Sequence, residues 1–182
     1  MRAHTRPLAA VHHGELDLHD VSRGDGYLFV RDGVGIAGRG VAARVPLAEV
    51  PRVLAAIEHT DEVGGVHPVA MGVVPFEAGL PCDLVIPTVL VGKAADGRQW
   101  VTTIDDASFG FTPGPRPAPQ AQAFTVAPLT SIERYLGAVA AARDAVRAGA
   151  LTKAVIAREV LVTSPEPIDV HAVLLRLKAS FG

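Results

Sequence analysis

At 182 residues, 49% hydrophobic and 20% charged, the chain has the length and apolar share of one globular domain and not the composition of a disordered one. A formal charge of −2 excludes a broad basic footprint for nucleic acid or an anionic membrane. Cys82 is the single cysteine, which excludes an internal disulfide framework, and no apolar run reaches spanning length; a cytoplasmic chain is expected.

Residues 1–26 read as a polar leader in which His4, His12, His13 and His19 are scattered among acids and glycines. No spacing gathers these histidines with a carboxylate or thiol, so a solvated, partly ordered segment is expected rather than a metal site. Tyr27–Arg31 follows as a strand, Asp32-Gly33 as a turn, and Val34–Val45 as a second extended run. Gly33, Gly35 and Gly38 spell G-x-G-x-x-G directly after that strand. A dinucleotide site would need a helix to open on these glycines and meet a pyrophosphate with its amino end. Gly40 and Pro46 do not start one, and the glycines are assigned to a hairpin.

Leu47–His59 is helical by pattern, with Val50, Val53, Leu54 and Ile57 on one face and Pro51 in the first turn. His67–Phe76, Asp83–Val91 and Gln99–Ile104 read as strands, the last two separated by a turn at Ala95-Asp96-Gly97. Strand, turn and strand in succession predict an antiparallel or mixed sheet packed by helices, an α+β fold. Cys82 follows Pro81 in a turn with no base in view, and reads as structural. Proline dominates the loop at 112–123, which reads as an extended spacer.

Thr130 and Glu133 predict a capping box for a helix whose apolar stripe is Ile132, Tyr135, Leu136, Val139, Ala142 and Val146. Gly149 supplies the left-handed stop. Leu151–Val160 then reads as a β-branched strand in which Lys153 shares a side with Val155 and Ala157. A lysine among small apolar neighbours loses water and becomes a usable base; one at a strand entrance instead reaches solvent along its stem. Spacing alone leaves both open. Asp169 caps a last helix carrying Val170, Val173, Leu174 and Leu177, an apolar face that a complementary chain could cover.

The run Gly149-Ala-Leu151-Thr-Lys153-Ala-Val-Ile-Ala-Arg158, between its helix and the Asp169 helix, resembles the chorismate-utilising enzymes, with the isochorismate synthases of menaquinone and siderophore pathways the closest look. Phe29-Val-Arg, Gly38-Arg-Gly40-Val-Ala-Ala-Arg44 and Met71-Gly-Val-Val-Pro-Phe76 are similar to that family's amino-terminal half, so the resemblance spans most of residues 27–182 as one domain. It implies chorismate as substrate and Lys153 as the base that activates water for attack at C2 while the C4 hydroxyl leaves. Relatives that use ammonia usually carry glutamine there. The resemblance also implies Mg²⁺, with its acidic ligands and the general acid supplied by a carboxy-terminal half absent from these residues. The expectation is an amino-terminal portion of an isochorismate synthase, catalytically incomplete alone. The alternatives are a fragment of a salicylate synthase and a shortened, non-catalytic paralogue that binds or regulates a partner.

Overall fold

The computed structural model describes residues 1–77, 79–111 and 123–181. In chain order the elements are β1 (Arg2–Pro7), α1 (Leu18–Ser22), β2 (Tyr27–Arg31), β3 (Val34–Arg39), β4 (Ala43–Pro46), α2 (Val50–Ala55) and β5 (Glu58–Asp61). There follow β6 (Asp83–Ile86), β7 (Val89–Lys93), β8 (Gln99–Ile104), β9 (Thr125–Pro128), α3 (Ile132–Arg147), β10 (Val160–Thr163) and α4 (Val170–Phe181). The fold is α+β, as the alternation of strands and helices predicts. The described residues fall into two units, 1–111 with 169–181, and 123–168, where the sequence suggested one domain after a leader. Among the described residues no helix is long and apolar enough to cross a membrane.

The first unit is built on a six-stranded sheet in the order β2-β3-β7-β8-β1-β5, antiparallel except for the β1–β5 pair. Asp32 and Gly33 adopt positive φ, 52° and 74°, and join β2 to β3 by the tight turn their dipeptide predicts. Gly35 belongs to the same hairpin: a Cβ there would lie 2.0 Å from the Phe29 carbonyl oxygen, at a φ of +143°. The three glycines therefore serve a strand pair and open no helix.

Residues 1–26 are not a solvated leader. β1 lies between β8 and β5, and Ala3 and Thr5 are buried. The arginines and His4 of β1 hid this from a composition reading, because only alternate side chains need to be apolar or small. One face of the sheet packs Leu8, Leu16, Leu18 and Val21 against Ala37, Val91 and Val101, which seats α1. On the other face Ala3 and Ile104 meet Val45, Ile57 and Ile86, with Val50, Val53 and Leu54 of α2 beside them.

Further boundaries move for tertiary reasons. The predicted helix over 47–59 is a short turn, Leu47–Glu49, then α2, and it stops at Ala55 because residues 58–61 pair with β1. Pro87 divides the predicted strand at 83–91 between β6, which pairs with β4, and β7 of the main sheet. Over 67–76 no named strand forms; Met71 alone bridges to Val85. The proline-rich segment lies outside the described residues over 112–122.

In the second unit β9 and β10 pair antiparallel, and α3 runs between them in the chain. Its cap is Ser131, one residue later than predicted, whose hydroxyl accepts from the Arg134 N–H at 3.3 Å. Gly149, at a φ of +74°, ends the helix as expected. None of the described residues from 123 to 168 is buried.

Candidate functional site

Lys153 lies between the α3 stop at Gly149 and β10, and the strand predicted over 151–160 forms only from Val160. A ladder needs a neighbour. β9 supplies one to 160–163, while the stretch before it is joined to β9's end through the Glu159 carbonyl, which accepts from Leu129 N–H at 3.0 Å.

Beside this stretch α3 and the returning chain enclose an open groove of about 470 Å³, lined by Tyr135, Val139, Ala142, Val146, Ala154 and Ile156 with Arg143 and Arg147. Ala154 and Ile156 are two apart, so they face the helix together. Lys153 is not among the lining residues; it is exposed, and Val155 is 88% exposed. Among the described residues Lys153 makes no hydrogen bond or ion pair. The predicted strand that would put Lys153 and Val155 on one side does not form over 151–159, and both side chains are exposed.

Arg143 and Arg147 were legible only as residues off the apolar stripe. Their spacing of four places both guanidiniums on one flank of α3, beside Val139 and Val146. Arg143 Nε donates to the Asp144 carboxylate at 2.8 Å. An apolar floor with two guanidiniums can hold a carboxylate-bearing apolar group. An open site exposed to water cannot by itself supply the desolvation that acid–base chemistry on Lys153 would need. Glu159 and Glu166 are both exposed.

The histidines of the first unit disperse. The His4 ring meets Glu62 at 2.6 Å, His12 stands edge-on to Phe109 and Phe111, His13 is exposed, and buried His19 bonds Asp17 at 3.0 Å. A grouping that the sequence did not suggest lies across β5, β1 and β8: His59 Nε2 is 2.8 Å from the Thr5 hydroxyl, which is 2.7 Å from that of Thr102. Thr5 is fully buried, so this chain of hydroxyls has the geometry of a core polar network and not of an accessible nucleophile. Asp61 closes the adjoining turn by accepting from the N–H groups of Val63, Gly64 and Val66. Burial works to raise its carboxyl, and these three donors outweigh it and hold it below the usual range.

Among the described residues no three His, Cys, Asp or Glu side chains gather as metal ligands. Compared with known proteins, the chain matches no family model, no curated protein and no solved structure.

Proposed function

We propose that this chain is the amino-terminal portion of an isochorismate synthase, in which Lys153 takes the proton of a water that attacks C2 of chorismate as the C4 hydroxyl leaves. The observation that carries the reading is the exposure of the apolar stretch that bears Lys153. A β-branched apolar residue, Val155, stands 88% in water two residues from the exposed Lys153, within a unit whose described residues bury nothing. A segment laid over Val155 would also cover Lys153, take its ammonium out of water and favour the neutral amine that a base requires. The motif from Gly149 to Arg158 supports the same reading, since it resembles the lysine-bearing sequence of the family. Under this reading the covering segment also carries the general acid and the acidic ligands of Mg²⁺, and no residue described here is assigned to the metal.

The test is chromatography of chorismate incubated with Mg²⁺. The 182-residue chain alone should give no isochorismate, whereas a polypeptide joining it to a complementary carboxy-terminal half should. In that longer polypeptide Lys153→Gln should lower the rate by about 10²–10⁴, the usual worth of a general base. Near-normal turnover by the variant would remove Lys153 from the mechanism, and turnover by the isolated chain would remove the need for a cover.

A binding role without catalysis is the second reading, and α4 favours it: Val173, Leu177 and Phe181 lie exposed along one side of that helix. It predicts a joined polypeptide that is well folded and inert toward chorismate.

A further inference from the structure

α4 meets the rest of the first unit by a face different from the one its apolar residues predict. His171, Leu174, Leu175 and Lys178, at i, i+3, i+4 and i+7, are half-buried, while Val173, Leu177 and Phe181 are exposed. The helix opposite is α1, whose Leu18 and Val21 are committed to the sheet core, so its cap Asp17 and first-turn Asp20 are what it offers to α4. His171 Nε2 lies 3.1 Å from Asp20 Oδ1, and Lys178 Nζ donates to Asp17 Oδ2. The Asp17 carboxylate also accepts from the backbone N–H and ring of His19, at 3.0 Å each, which fixes it toward the ammonium. A Cβ placed on Gly24, just beyond α1, would lie 3.6 Å from that of Val170 at the start of α4.

From this geometry we infer that the Asp17–Lys178 ion pair and the Asp20–His171 hydrogen bond form a polar latch holding α4 on α1. The latch has a consequence for the chain. Asp169 begins the stretch that belongs to the first unit again after residues 123–168, and α4 follows it directly. Open, the latch frees a helix whose Val173, Leu177 and Phe181 are already exposed. The two pairs are 7 residues apart on α4, two turns of helix, so they pin it along its length rather than at one point. Both carboxylates are 29% exposed, so the latch is partly screened by salt and reversible.

Hydrogen exchange on the whole chain tests this, reading α4 amides against those of β7 and β8 in the same sample. Lys178→Gln should speed exchange in α4 about two- to fivefold, the effect of losing one partly exposed pair, with β7 and β8 unchanged. Lys178→Arg should restore protection, and His171→Gln should speed exchange by a smaller factor. In the unaltered chain, raising salt from about 0.05 to 0.5 M should act in the same direction as Lys178→Gln. Exchange in α4 that ignores both salt and Lys178→Gln would overturn the latch. Equal acceleration in β7 and β8 would overturn it too, since the pairs would then support the whole unit.

Discussion

Two helices of similar amphipathic pattern lie in units that differ in what surrounds them. α2 places Val50, Val53 and Leu54 against Ile57, Ile86 and Ile104, in a layer closed by the sheet. α3 is longer, 16 residues, with a cap, a stripe and a stop, yet none of its residues is buried. A helix of that length is marginal in water without tertiary contacts, and so is a two-stranded pairing such as β9–β10. Local signals can therefore specify an element completely without specifying what stabilises it. The second unit holds well-formed elements around an apolar surface that nothing described covers, and the first holds modest elements around a closed core.

The largest expected effect lies in the closed core. Ile86 is 1% exposed and joins the layer beneath α2, so Ile86→Ala should cost about 2–5 kcal/mol in urea unfolding followed by circular dichroism. A cost near zero would mean that the first unit is no better packed than the second. Next comes the sheet interior, where Gly92 pairs with Trp100 and a Cβ on Gly92 would lie 2.1 Å from the indole ring. Gly92→Ala should destabilise by about 1–3 kcal/mol and shift Trp100 fluorescence, because the ring must move. An unchanged emission spectrum at unchanged stability would contradict that packing.

Charge gives a third test, confined to the first unit. Burial works to raise the Asp17 carboxyl, but the Lys178 ammonium and the His19 N–H and ring outweigh it and hold it at about 2, down from 3.8. The folded state then binds the proton less readily than the unfolded one. Its contribution is present above 3.8 and is lost as pH falls from there to about 2. Unfolding free energies at several pH values should show about 1–2 kcal/mol of this loss, after allowance for solvent screening, and Asp17→Asn should abolish it.

His59 moves in the same direction for another reason. Burial lowers it, His67 and His4 add to that, and Asp61 opposes them without prevailing. A base held below its ordinary 6.5 is protonated more readily in the unfolded chain, so stability should fall as the solution is acidified through 6.5. His59→Gln should flatten that slope; a slope unaltered in the variant would assign it to another group.

Much of the first unit was legible where chemistry is local. Asp32-Gly33 announces its hairpin because few residues accept positive φ, and Asp169 announces α4 because its carboxylate accepts from the Ala172 N–H at 3.0 Å. β1 was not legible: His4 and Arg6 look solvated, and the burial of Thr5 depends on a hydroxyl partner 97 residues away on β8. The docked face of α4 was hidden for the same reason, since its partners Asp17 and Asp20 lie near the other end of the chain. At the candidate site the apolar run after Lys153 suggested a strand, but strand formation depends on a neighbour that composition cannot announce. The guanidinium flank of α3 became visible only when Ala154 and Ile156 folded back beside it.

The smallest expected effect is the most informative about the second unit. Leu136 has the spacing of a core residue but is 57% exposed, so Leu136→Ala should change unfolding by less than about 0.5 kcal/mol, as at an ordinary surface site. The same substitution in a polypeptide that supplies a cover should cost about 2–5 kcal/mol, the range of a buried leucine. The difference between those two measurements reads out whether the stripe of α3 becomes core. If both are small, the cover leaves α3 exposed, and Lys153 must then be sought on a surface that stays wet. If the isolated chain already pays the larger penalty, α3 is buried in solution and the contrast between the units disappears.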